Sequence, residues 1–228
     1  MPLDLPNTIA AVAALGTASF ALVDSSKVFL GGISNAGFGH IRRVVTGLIV
    51  GESPAPLGLE AVLATLRASW LNGTSLSDQK AIAKSLIKLR LMPGNATLLA
   101  QATGVNADVL VSVAGKIAAG VDLEPGEADV YGRFNLILSA MLDEGYQRAD
   151  QQYRNSAKAL AVVVSLVLAV VGGWQVLYPD ILFVDYVFSK AVFKPFLVGL
   201  LATPIAPISK DLSSALATAV RTMQMFRK

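Results

Sequence analysis

Between Lys158 and Asp180 the chain carries no charged side chain, and this stretch restricts its fold more than any other feature. A hydrocarbon core about 30 Å thick is crossed by roughly 20 apolar residues in a helix. A segment in lipid must also satisfy its own backbone polar groups, which a helix does internally. Ala159 to Pro179 has the required length and contains Leu160, Val162, Val163, Val164, Leu166 and Val167 in its first half alone. At about −0.3 to −0.6 kcal/mol for each Leu or Val, transfer of such a run into lipid is favourable. Trp174 and Tyr178 fall at its far end, where aromatic residues mark a membrane–water interface.

Two further runs behave similarly. Leu5 to Val23 is uncharged between Asp4 and Asp24, and contains the small residues Gly16, Thr17 and Ser19, which let helices approach closely in lipid. Pro195 to Ser209 is uncharged between Lys194 and Lys210. It is short for a span, although Val187 to Phe193 lengthens it if Lys190 and Lys194 snorkel to the interface. Pro204 and Pro207 would kink or end it, so a re-entrant segment competes with a spanning one. Charged residues make up 15% of the chain, against about 25% in soluble domains, and mean hydropathy is +0.57.

Charge placement gives an orientation. Lys27, Arg42 and Arg43 follow the first run, Arg148, Arg154 and Lys158 precede the second, and Lys210 and Arg221 follow the third. The link between the second and third runs carries Asp180 and Asp185. Under the positive-inside rule the N-terminus lies outside and the middle and C-terminus lie in the cytoplasm. The first run lacks the basic n-region and cleavage site of a signal peptide. A soluble protein hiding an apolar hairpin, as pore-forming toxins do, is the competing architecture.

Residues 57–156 show helical periodicity without strand-like alternation. Leu59, Val62, Leu63, Leu66 and Trp70 share one helix face, and Asn72-Gly73 ends that helix. Ser77 is the expected cap of the next, which Pro93-Gly94 stops; Asn95 and Asn106 are the expected caps of two short helices separated by Gly104. A long helix is expected to start near Glu127 and, meeting no strong breaker, to continue into the second apolar run. The expected fold class is therefore all-α: an integral membrane protein with about three transmembrane helices and a central cytoplasmic helical domain. Its parts are an N-terminal membrane helix and interfacial segment (1–50), the cytoplasmic helical domain (51–156), a transmembrane helical hairpin (157–209) and a C-terminal amphipathic helix (210–228).

Catalytic and cofactor chemistry finds little support. The chain has no cysteine and a single histidine, His40. Gly31-Gly32-Ile33-Ser34-Asn35-Ala36-Gly37-Phe38-Gly39 lacks the Gly-Lys-Ser/Thr ending of a phosphate loop, and reads as a bend into an interfacial helix bearing Arg42 and Arg43. Leu99 to Leu110 has the small residues of a helix-turn-helix, but the second helix, Ala107-Asp108-Val109-Leu110-Val111, lacks the basic and amide groups that read DNA. Asp122, Glu124, Glu127 and Asp129 do not have EF-hand spacing, and suit a turn before a helix N-terminus. No catalytic, cofactor or metal residues and no nucleic-acid partner are expected.

Basic residues suggest contact with lipid or a partner. Lys80, Lys84 and Lys88 recur every fourth residue on one helix face, where each could contribute about 1 kcal/mol at an anionic surface. Arg42, Arg43, Arg221, Arg227 and Lys228 complete the candidate set. The functional expectation is a non-enzymatic anchor or scaffold in a prokaryotic cytoplasmic membrane, with a lipid bilayer and a protein partner or second copy as its contacts. The alternative is a pore-forming or membrane-permeabilising protein that uses the C-terminal hydrophobic hairpin.

Overall fold

The computed structural model describes residues 5–26, 31–49, 51 and 58–204. The ordered elements among them are all helical. They divide into two compact units, one formed by 34–153 and the other by 1–33 together with 154–228.

The 34–153 unit is built from α2 (Asn35–Leu48), α3 (Leu59–Leu71), α4 (Leu76–Lys88), α5 (Pro93–Thr103), α6 (Ala107–Ala119) and the first half of α7 (Pro125–Leu177). Each helix presents a stripe spaced by three and four residues. Ile41, Val45 and Leu48 of α2 meet a core that includes Leu66, Ile87, Leu99, Leu110 and Phe134. The segment bearing Arg42 and Arg43 is thus a core helix of this unit, because its opposite face is buried. The compact unit that includes α2 runs from Ser34 to Tyr153.

Local chemistry sets the helix ends. Asn72 follows α3 and Gly73 has φ +70°. Ser75, rather than Ser77, caps α4: its Oγ accepts the Asp78 N–H at 3.2 Å. Asn95 does not cap α5, because Pro93 already opens that helix; its fixed φ suits the first turn, and Asn95 is buried inside the helix. Gly104, at φ +68°, closes α5 in the left-handed conformation that glycine adopts without strain, and the Asn106 side chain caps α6 by accepting Val109 N–H at 3.0 Å. Arg90 is 2% exposed and donates to the Gly51 carbonyl at 3.1 Å. Burial lowers its pKa.

Helix α7 is continuous for 53 residues. Its N-terminal half closes the core with Phe134, Leu138, Leu142, Tyr146 and Ala149. It approaches α2 closely: a Cβ at Gly37 would lie 2.2 Å from the Ala149 carbonyl oxygen. Its C-terminal half belongs to the other unit, with α1 (Leu5–Ser25), the short α8 (Phe183–Val187), a 3-10 turn at Lys190–Val192 and a helix over 193–204, here α9. Among the described residues one helix, α7, is long and apolar enough to cross a membrane, and Ile9–Ser25 forms a shorter apolar helix. The third run is helical as far as residue 204, and the rest of it lies outside the described residues.

Candidate functional site

Where α7 and α9 of the apolar unit pack together, the enclosed residues are small. Along α7, Ala161, Ser165 and Ala169 are buried, and Gly173 continues the series at the same four-residue step. Across from them on α9 stand Pro195, Gly199 and Thr203, also four apart. A Cβ at Gly199 would lie 2.8 Å from Leu166 Cα, and one at Gly173 would lie 2.5 Å from the Pro195 ring. Small residues on both helices therefore set the distance between them, as in helix pairs packed within lipid. Ser165 Oγ donates to the Gly199 carbonyl at 2.7 Å and lies 3.4 Å from the Thr203 hydroxyl.

Several bulky residues of α7 and α9 face outwards. Val163 and Val167 are 55% and 56% exposed, and Phe193, Phe196, Leu200 and Leu201 are likewise exposed. In water, each buried Val, Leu or Phe is worth about 1.5–3 kcal/mol, so a soluble fold would turn these side chains inward and the serine outward. The arrangement suits a surrounding of hydrocarbon.

At the end of this hairpin, Trp174 Nε1 donates to the Ile181 carbonyl at 2.7 Å, and its ring meets Phe183 edge-on at 5.2 Å. Tyr178 and Tyr186 pack 5.5 Å apart. Leu182, Val184 and Phe188 project outwards beside Asp180, Asp185 and Lys190. Rings with polar edges, intermingled with charges, match the headgroup zone.

The predicted lysine stripe has a definite place. Lys80 pairs with Asp143, Lys84 Nζ donates to Ser139 Oγ at 2.8 Å, and Lys88 sits 5.2 Å above the Tyr131 ring. All three side chains run along the first half of α7 and fasten α4 to it. Sequence spacing put them on one face; it carried no sign that α7 lay opposite.

Arg42 and Arg43 are exposed on α2. Arg42 lines a groove of about 700 Å³ between α2 and α3, together with Asn35, Phe38, Glu60, Leu63 and Arg67. Arg67, which the sequence did not single out, donates to Asn35 Oδ1 at 3.0 Å. Arg43 does not line this groove. Arg221, Arg227 and Lys228 lie outside the described residues.

The acidic turn is internally paired. Glu127 accepts from Lys116 at 2.7 Å, Ser112 at 2.7 Å and the Glu124 backbone N–H at 2.9 Å, the last being half of a capping box at the start of α7. These hydrogen bonds hold its pKa at about 2, from an ordinary 4.5, and raise that of Lys116. No group of three or more His, Asp or Glu side chains among the described residues could hold a metal ion. His40 Nε2 lies 2.6 Å from Gln152 Oε1.

The seam of small residues was the main feature that sequence reading missed. Its signal was present: Ala161, Ser165, Ala169 and Gly173 recur every fourth residue, as do Pro195, Gly199 and Thr203. No protein family, no characterised protein and no solved structure matches the chain.

Proposed function

We propose that this protein is a non-enzymatic membrane anchor, a helical domain tethered to a bilayer through its apolar runs, which holds a larger assembly at the membrane. The observation that carries the reading is the inverted hairpin, with Ser165, Gly199 and Thr203 inside and Val163, Val167 and Phe193 outside. Three spans, an outside N-terminus and a cytoplasmic 34–153 unit complete the proposal; they rest on the distribution of Lys and Arg around the runs. The anchoring role draws on the helical unit, in which Lys80, Lys88, Lys116 and Glu127 join its own helices to one another.

Chemical cross-linking in native membranes, followed by mass identification, tests this role. Reproducible cross-links from the 34–153 unit to a defined partner or to a second copy are expected. A chain that stays monomeric and uncross-linked in its own membrane contradicts it. Liposome leakage separates the alternative: an anchor releases no trapped dye, whereas a permeabilising protein does.

A further inference from the structure

The α2–α3 groove combines an apolar floor with a cationic rim. Phe38, Leu63 and Leu71 form the floor, and Arg42 and Arg67 stand at the rim. Neither arginine makes an ion pair with a described residue. Asn35 Oδ1 accepts from Arg67 and so fixes the direction of its guanidinium, leaving other N–H groups to donate elsewhere. Glu60 also lines the groove, in the first turn of α3, where the helix dipole favours a carboxylate. The groove therefore has a net excess of one positive charge. At about 700 Å³ it has the size of a small-molecule site.

We propose that this groove binds the headgroup of an anionic phospholipid, with the phosphate between Arg42 and Arg67 and the first part of the lipid's apolar body on Phe38 and Leu63. Guanidinium groups suit phosphate because their N–H donors match its oxygens in pairs. The apolar floor favours an amphiphile over a bare ion. The lipid identity rests on the membrane reading above, together with the pairing of two guanidinium groups and an apolar lining in one groove.

Full-length protein in a non-ionic detergent, titrated with dihexanoyl phosphatidylglycerol and observed by native mass spectrometry, tests the site. One lipid is expected to bind, with dihexanoyl phosphatidylcholine binding more weakly. The Arg42→Gln/Arg67→Gln variant should lose about tenfold or more in affinity. Arg43→Gln, beside the groove, should bind as the parent does, and Glu60→Gln should bind more tightly. Both arginines are exposed, so the double variant should keep the parent's helical circular dichroism; if it does not, Arg42→Lys/Arg67→Lys takes its place and should still weaken binding. Equal affinity for the two lipids, or no effect of the arginine variants, overturns the proposal. So does inorganic phosphate or an oligoglutamate peptide binding as tightly as phosphatidylglycerol, since the site would then serve a free anion or an acidic protein segment. The short-chain lipid is soluble as monomers, so the titration reads the groove even if the chain proves not to enter membranes.

Discussion

Glu127 shows how one side chain can hold a helix start in place. Its carboxylate receives Lys116, Ser112 and the Glu124 N–H, and its side chain is only 12% exposed. Because its pKa is about 2 in the folded protein against an ordinary 4.5, the stabilisation is complete above pH 4.5 and is lost as pH falls from 4.5 towards 2. Thermal unfolding across that window should show a steeper loss in the parent than in Glu127→Gln, which has no proton to take up. Equal slopes would contradict the role. Leu66, fully buried, offers a simpler case: Leu66→Ala should cost about 2–5 kcal/mol in chemical unfolding. Much at this scale was legible beforehand. Gly104 and Asn106 act through local backbone geometry, and local geometry is written in neighbouring residues. Ser75 and Ser77 are both plausible caps one turn ahead of the same apolar stripe; Asp78, three residues beyond Ser75, settles the choice by placing its N–H and carboxylate within reach of Ser75 Oγ. The Lys84–Ser139 bond joins residues far apart in sequence, and periodicity along one helix says nothing about what packs across it.

At the scale of elements, α7 was readable because nothing interrupts it: after Pro125 at its start, no proline occurs before Pro179. Its polar middle, Gln147 to Lys158, has neither a breaker nor a cap, so the helix continues where the apolar stripe stops. The α7–α9 pairing was less visible, since apolar run length alone does not distinguish a lipid-facing valine from a buried one. The seam makes a sharp prediction. Gly199→Leu forces a side chain into the space held by Leu166 and Ser165, at a cost of about 1–3 kcal/mol, and should lower the melting temperature in detergent. Leu201→Val, on the outward face, should leave it nearly unchanged. If the two variants melt alike, the small residues do not set the helix separation.

For the whole molecule, the two units differ in what they enclose. In 34–153, apolar side chains such as Ile41, Leu66, Leu99 and Phe134 are enclosed and the charges, Arg90 excepted, lie at the surface, as water requires. In the other unit the residues enclosed along α7 and α9 are Ala161, Ser165, Ala169, Ala202 and Thr203, Val12, Val23 and Tyr186 are buried as well, and many other Val, Leu and Phe side chains are exposed. The exposed apolar face of α7 and α9 is what the proposed bilayer would cover. The sequence carries a matching signal in its charge deficit and the gap between Lys158 and Asp180, whereas α2, both amphipathic and basic, gave no sign that its apolar face packs with the 34–153 core. The most direct test is alkaline carbonate extraction of membranes from cells making the full chain. This wash strips peripheral proteins and leaves those held by apolar helices. The protein should stay wholly in the membrane pellet and be released by detergent; its appearance in the carbonate supernatant would contradict a seat in the bilayer.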